Sequence, residues 1–162
     1  MELHECAAND LGISVDEVAK RWEEPFNIVS DIFQVKDLYG NLIPYKPYPY
    51  SVEFLTKGFY QIDVDRCVLK SRQIGFSTIA EIEAVITGAT FEDQEVAFVS
   101  NQYKNSKKLI EACGTIIKNS KYPLPYSKRN IQKQKIKSDT GMTLIPYSSN
   151  PDSIRGDSAV RV

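Results

Sequence analysis

The residues best suited to chemistry lie together between Lys70 and Thr78, in the run Lys70, Ser71, Arg72, Gln73, Ile74, Gly75, Phe76, Ser77 and Thr78. Two cations, a glycine and three hydroxyls in nine positions are the groups that meet a phosphate. Upstream, Cys67 to Leu69 form a short apolar run suited to a buried strand; downstream, Ile79, Ile82, Val85 and Ile86 repeat at helical spacing. A strand feeding a helix through a short polar loop aims several backbone N–H groups and the positive helix terminus at one point, where an anion can sit. The expectation is a nucleotide phosphate site.

The usual phosphate-loop pattern is Gly, four residues, Gly, Lys, then Ser or Thr. With Gly75 placed at the second glycine, Ser77 falls at the magnesium-binding hydroxyl. Phe76 then occupies the lysine position and Lys70 the first glycine. An ammonium on a long flexible stem acts as a point charge and can reach the β and γ phosphates from either rim of the loop. This makes Lys70 the phosphate lysine, displaced across the loop. The same segment also reads as an ordinary strand, turn and helix with an exposed Lys and Arg.

The loop Lys70 to Thr78 resembles the deviant Walker A segment of the large terminase subunit of tailed phages, the ATPase that drives genome packaging. In that family the loop commonly reads Ser-Arg-Gln-aliphatic-Gly followed by hydroxyl residues, and some members carry the lysine at the loop's start. Ser71, Arg72, Gln73, Ile74, Gly75, Ser77 and Thr78 match residue by residue. A second stretch, Tyr147 to Ser158, contains Asn150, Pro151, Asp152, Ser153, Ile154, Arg155 and Gly156. It is similar to the Ser-Pro-Asp-x-x-Arg-Gly segment that precedes the Walker B strand in those enzymes. The resemblance covers about Pro44 to Val162. It implies ATP and Mg²⁺ as cofactors, with Lys70, Arg72 and the loop amides on the triphosphate, Ser77 on Mg²⁺, and Arg155 coupling phosphate state to movement. Family members often read the adenine edge with a glutamine in a Pro-Tyr-Gln context. Here Pro49 and Tyr50 are followed by Ser51, which leaves Tyr50 either stacked on a base or packed against the helix that follows.

Composition sets the frame. A chain of 162 residues with 42% hydrophobic content can bury a core of ordinary domain size. The net charge of -1 hides an asymmetry: residues 1 to 65 hold twelve acidic and five basic side chains, whereas residues 102 to 137 hold ten basic and one acidic. The second region is the one suited to face a polyanion. Cys6, Cys67 and Cys113 are odd in number and scattered, which suggests a reducing compartment. His4 has no second ligand near it in sequence, so nothing here points to zinc. No apolar run approaches the roughly 18 residues that span a bilayer, and the expectation is an intracellular protein.

Along the chain, residues 5 to 22 carry the local pattern of a helix-turn-helix. Gly12 suits the turn, Ser14 and Glu17 form a capping box, and Val15, Val18 and Trp22 fall on one face. Either a structural helical pair or a DNA-reading helix starting at Val15 fits it, although Asp16 and Glu17 would then approach phosphates. Residues 25 to 50, with Pro25, Pro44, Pro47 and Pro49 among four tyrosines, read as an irregular lead-in, and Val52 to Tyr60 as a short amphipathic helix. Glu95 to Ser100 is a second core strand. Asn105 to Lys118 reads as a helix burying Leu109, Ala112, Cys113, Ile116 and Ile117. Ile131 to Lys137, the Asp139-Thr140-Gly141 turn and Met142 to Tyr147 predict a β-hairpin. Its outer face would carry Lys133, Lys135 and Lys137, either to meet a phosphate backbone or to protect an edge.

These readings combine into an α/β chain: a helical lead-in over 1–48 and, over 49–162, a partial P-loop core of the additional-strand type with a β-hairpin near its C-terminal end. The resemblance implies the ATP-binding part of a phage DNA-packaging motor in the bacterial host cytoplasm. Its partners would be double-stranded phage DNA, the portal and the small terminase subunit, with a homo-oligomer as one reading of the full-length motor. Because the family's Asp-Glu after the Walker B strand is not reached and the nuclease domain is absent, the expectation is a fragment that hydrolyses ATP poorly alone. Residues 66–70 and 95–100 would then leave ladder edges open or pair with each other, giving a marginal, self-associating chain. Two other readings stand beside it: a small DNA-binding module using the helix-turn-helix and the basic hairpin, and a decayed gene product.

Overall fold

The structure is a computed structural model and describes residues 3–37, 39–60, 75–93, 95–150 and 159–161. Within them the chain is a mixed α/β protein with six α-helices and two sheets. It divides into two compact units, Met1–Ile79 with Asn119–Pro123, and Ala80–Lys118 with Leu124–Val162.

In the first unit, α1 (Leu3–Leu11) and α2 (Val15–Arg21) form the expected helical pair. Gly12 takes a φ of 68°, the left-handed conformation that ends a helix cheaply only for a residue without Cβ. Its N–H and that of Ile13 both bond to the Ala8 carbonyl, at 3.0 and 3.2 Å. Ser14 then starts α2 with a complete capping box: the Glu17 N–H donates to Ser14 Oγ at 3.2 Å, and the Ser14 N–H to Glu17 Oε2 at 2.8 Å. Val18 and Trp22 are buried while Val15 is 44% exposed, so the apolar face is narrower than the spacing suggests.

Residues 25–50 are more regular than their prolines imply. Pro25 opens α3 (Pro25–Ile32), where its missing N–H costs nothing. The chain then makes a small antiparallel hairpin of β1 (Gln34–Lys36) and β2 (Leu42–Pro44), paired from Gln34↔Pro44 to Lys36↔Leu42. The Asp37 carboxylate fixes its turn by accepting from the Tyr39 and Asn41 N–H groups, both at 2.8 Å. The next helix, α4 (Pro49–Tyr60), begins three residues before the expected start and packs against α3.

Gly75 leads into α5 (Phe76–Thr90), whose first four residues group with the first unit and whose remainder groups with the second. Ile79, Ile82, Val85 and Ile86 are buried as their spacing predicts, but so is every residue from 81 to 88. This helix is a central element, not an amphipathic surface one.

The second unit is built on a four-stranded sheet of β3 (Glu95–Ser100), β4 (Ile136–Lys137), β5 (Thr143–Ser148) and β6 (Ala159–Arg161), in the order β4-β5-β3-β6. The β3 and β5 strands run parallel from Glu95↔Thr143 to Ser100↔Ser148, and β6 lies parallel on the other side of β3. Glu95 and Val96 are therefore paired on both sides, whereas 97–100 are paired with β5 alone among the described residues, which leaves part of the expected open edge; the strand expected at 66–70 lies outside the described residues. The predicted hairpin is present as β4 and β5, joined antiparallel through Lys137↔Thr143 and Ile136↔Leu144. Its first strand is only two residues long, and Lys133 sits in the preceding bend, because the Gln132 N–H turns back to the Lys135 carbonyl at 3.0 Å.

Helix α6 (Tyr103–Lys118) packs on β3 and β5. Cys113, Ile116 and Ile117 are buried as expected and Ile110 joins them, while Leu109 and Ala112 are half-buried, so the buried face is rotated a little from the one expected. The cause is Ser106, which is fully buried because its hydroxyl donates to the Tyr147 carbonyl at 2.7 Å. A polar anchor at the first turn thus sets the rotation of the helix. On the other helix, Gly88 is required by close packing: a Cβ there would meet Tyr126 Oη at 2.3 Å, and that hydroxyl donates to the Val85 carbonyl at 2.7 Å.

Candidate phosphate-binding site

The described part of the predicted loop is its helical rim. Gly75 has a φ of 73°, is exposed, and has open space where a Cβ would stand. A left-handed residue directly before a helix turns successive backbone N–H groups toward one side, and only glycine does this without strain. The first turn of α5 contains no acidic residue, so its positive end is not neutralised from within the helix.

Within that turn the side chains divide by role. Ser77 is exposed and Thr78 half-buried, which leaves the Ser77 hydroxyl accessible. Phe76 instead turns its ring onto Phe54 of α4, edge to face with centroids 4.7 Å apart. The position where the usual pattern has its lysine therefore anchors the helix start to α4. Lys70, Ser71, Arg72, Gln73 and Ile74 lie outside the described residues, and so does Arg155.

Tyr50 stands in the first turn of α4, 39% exposed, with its ring stacked on Tyr48 at 5.5 Å and an interplanar angle of 11°. The two rings present one aromatic surface beside Tyr45, whose phenol is buried and held above its usual pKa mainly by that burial. Ser51, standing where a glutamine would read an adenine edge, is fully buried on α4.

Two acidic side chains on α5 escaped the sequence reading. Glu81 and Glu83 are 8% and 7% exposed, and burial pushes the Glu81 carboxyl up to about 7. The Cys113 thiol lies beside the same turn, donating to the Glu81 carbonyl at 3.8 Å; burial first, and the Glu81 charge second, raise it well above the usual thiol range. Such a thiol is a packing group, not a nucleophile. The local sequence carries no signal for this, because Glu81 and Glu83 follow an ordinary surface-helix pattern and only long-range packing covers them.

The helical pair at the N-terminal end offers little to nucleic acid. Glu17 closes the capping box, and Arg21 is held by Asp31 through two bonds of 2.6 and 2.8 Å. His4 packs its ring against Trp22 with centroids 5.0 Å apart. Among the described residues no helix is long and apolar enough to cross a membrane. No protein-family model matches this sequence, and a search of curated proteins found no significant match.

Proposed function

We propose that this chain is the ATP-binding part of a DNA-packaging motor of the large-terminase type. The observation that carries the reading is the rim of the loop: an exposed left-handed Gly75 opening a 15-residue helix, with an accessible Ser77 in a first turn free of acidic residues. These groups fit a triphosphate with its metal ion. Gly75 leaves room for a phosphate to approach the backbone, and Ser77 supplies the hydroxyl that supports Mg²⁺. ATP would supply the transferable γ-phosphoryl group. The residues of the chain would bind and orient it: Lys70 and Arg72 by charge, the amides of Ser71 to Ser77 by hydrogen bonds, and Tyr50 by stacking on the base. Arg155 would sense the phosphate state. The segment carrying Arg155 and Gly156 lies in the chain between β5 and β6, two strands that each run parallel to β3, and this order supports the arrangement. Double-stranded phage DNA, the portal and the small terminase subunit would be the partners, in the cytoplasm of a bacterial host.

The test is titration of a fluorescent ATP analogue with Mg²⁺. Lys70→Ala and Ser77→Ala should each weaken binding by about tenfold, in keeping with the loss of one charge-assisted contact. Phe76→Ala should retain most of the affinity while lowering stability, because its ring touches Phe54. Equal affinity for wild type and Lys70→Ala would sink the displaced-lysine reading.

A further inference from the structure

We propose that the base of a bound nucleotide is held by stacking alone, on the paired rings of Tyr48 and Tyr50, so that this chain takes GTP about as well as ATP. This rests on a triphosphate lying at Gly75 and Ser77 as proposed above, and all the residues involved belong to the first unit. The two rings stack with centroids 5.5 Å apart and an interplanar angle of 11°, yet Tyr48 is 59% exposed and Tyr50 39%. Rings that hold each other in place and still face water form a pre-ordered apolar platform, on which a flat ligand can settle without first ordering the side chains.

Aromatic side chains tie this platform to the rim of the phosphate loop. Tyr50 and Phe54 lie one turn apart on one face of α4, about 6 Å along its axis. Phe54 in turn meets Phe76, the residue after Gly75, with ring centroids 4.7 Å apart. Platform and rim therefore stand on the order of 10 Å from each other, the reach from a base across its ribose to the phosphates.

The platform has no reader of the base edge within its own segment. Adenine and guanine both offer a flat face and differ at their edges, where adenine has an amino donor and guanine a carbonyl acceptor. Telling them apart takes a fixed hydrogen-bonding group that one of them leaves unpaired. Residues 44–52 contain no Asn, Gln, Asp or Glu, and Ser51 is fully buried. Glu53, the next polar residue of α4, is paired with Lys57 at 2.6 Å. The backbone is equally poor in donors. Pro44, Pro47 and Pro49 have no N–H. The Tyr45 N–H donates to the Phe33 carbonyl at 2.9 Å, and those of Ser51 and Val52 both donate to the Tyr48 carbonyl, at 2.8 and 3.0 Å. Six of the nine residues from 44 to 52 thus have no N–H to offer a base. The phenol hydroxyls of Tyr48 and Tyr50 serve as donor or acceptor alike, so they favour neither purine.

The test is titration calorimetry of the 1–162 chain with ATP, GTP and inorganic tripolyphosphate, each with Mg²⁺. ATP and GTP should bind within about threefold of each other, because a stacking platform accepts any base with a π-face. The double variant Y48A/Y50A should weaken ATP and GTP alike by about tenfold, the loss expected for one stacked base, and leave tripolyphosphate within about twofold of wild type. Y48F/Y50F keeps the rings and should keep both nucleotide affinities within about twofold. A wild-type preference for either nucleotide of more than about tenfold would show an edge reader and overturn the proposal while leaving the phosphate site intact. Equal losses for ATP, GTP and tripolyphosphate in Y48A/Y50A would make the rings a support of the fold, and would overturn it as well. Binding of none of the three by the wild-type chain would instead reject the phosphate site itself, and the proposal with it.

Discussion

The two units respond to charge in opposite ways. The first is fastened by ionised side chains. Asp31 accepts from Arg21 and from Trp22 Nε1 at 3.0 Å; burial pushes its pKa up, but the Arg21 and Trp22 bonds together outweigh that and hold it below the usual carboxylate value. Asp10 is held down in turn by Lys121, with which it pairs, and by Tyr122, which donates to it at 3.0 Å. The second unit instead encloses groups that prefer to be neutral. Glu81 is raised by burial, and so are the Cys113 thiol and the Tyr126 phenol. Acid should therefore loosen the carboxylate contacts of the first unit while relieving the buried Glu81 of the second.

The sharpest test of that contrast is Glu81→Gln. The folded pKa of about 7 lies above the ordinary value of 4.5, so ionisation opposes folding. The stability associated with the neutral carboxyl is fully present below about pH 4.5 and lost as pH rises through 7. The neutral variant should match wild type at pH 4.5 and exceed it by about 3 kcal/mol at pH 9, at 1.36 kcal/mol per unit. Chemical denaturation of both chains at the two pH values checks this, and parallel pH profiles would break the comparison.

A smaller change of opposite sign is expected at Asp31. Arg21 is 42% exposed and is rehydrated when its partner is removed, so the pair itself contributes little. The cost of Asp31→Ala falls on the indole N–H of the buried Trp22, at about 2 kcal/mol for an unsatisfied donor. Because the folded pKa is depressed, the part of the wild-type advantage that comes from the carboxylate charge is present above the ordinary value of 3.8 and lost as pH falls through the folded one. Trp22 is the chain's single tryptophan, so its fluorescence during unfolding reports on this unit alone. A variant whose deficit persists unchanged at pH 2 would show that packing, not charge, fastens the unit. Ser14→Ala should cost least, about 1 kcal/mol through loss of the cap on α2, measured as a lower midpoint of the same fluorescence transition.

What the sequence made legible was local. The Ser14 and Glu17 capping box, the Gly12 stop, the apolar period of α5 and the turn at Asp139 to Gly141 each depend on residues within a few positions of one another. The hairpin of β1 and β2 was equally local but went unread, since a high density of prolines masked the turn signal of Asp37 and Gly40. Long-range facts were not legible. Nothing near Glu81 announces that all sides of its helix are covered, and nothing near Ser106 foretells a bond to a carbonyl 41 positions away. At the candidate site, Gly75 and Ser77 declared themselves by type and spacing, whereas the turning of Phe76 onto Phe54 needed the fold.

The pairing of β3 has a consequence in time. Both of its neighbours come later in the chain: Glu95 meets Thr143 on one side and Ala159 on the other. At synthesis rates of about 5–20 residues per second, the finished strand waits roughly 2 to 10 s before its first partner has been made. Throughout that interval its Val96, Ala97 and Phe98 backbone is an unpaired template, so the nascent chain is at its most vulnerable to other strands, and most in need of a holding chaperone, before residue 143 is translated.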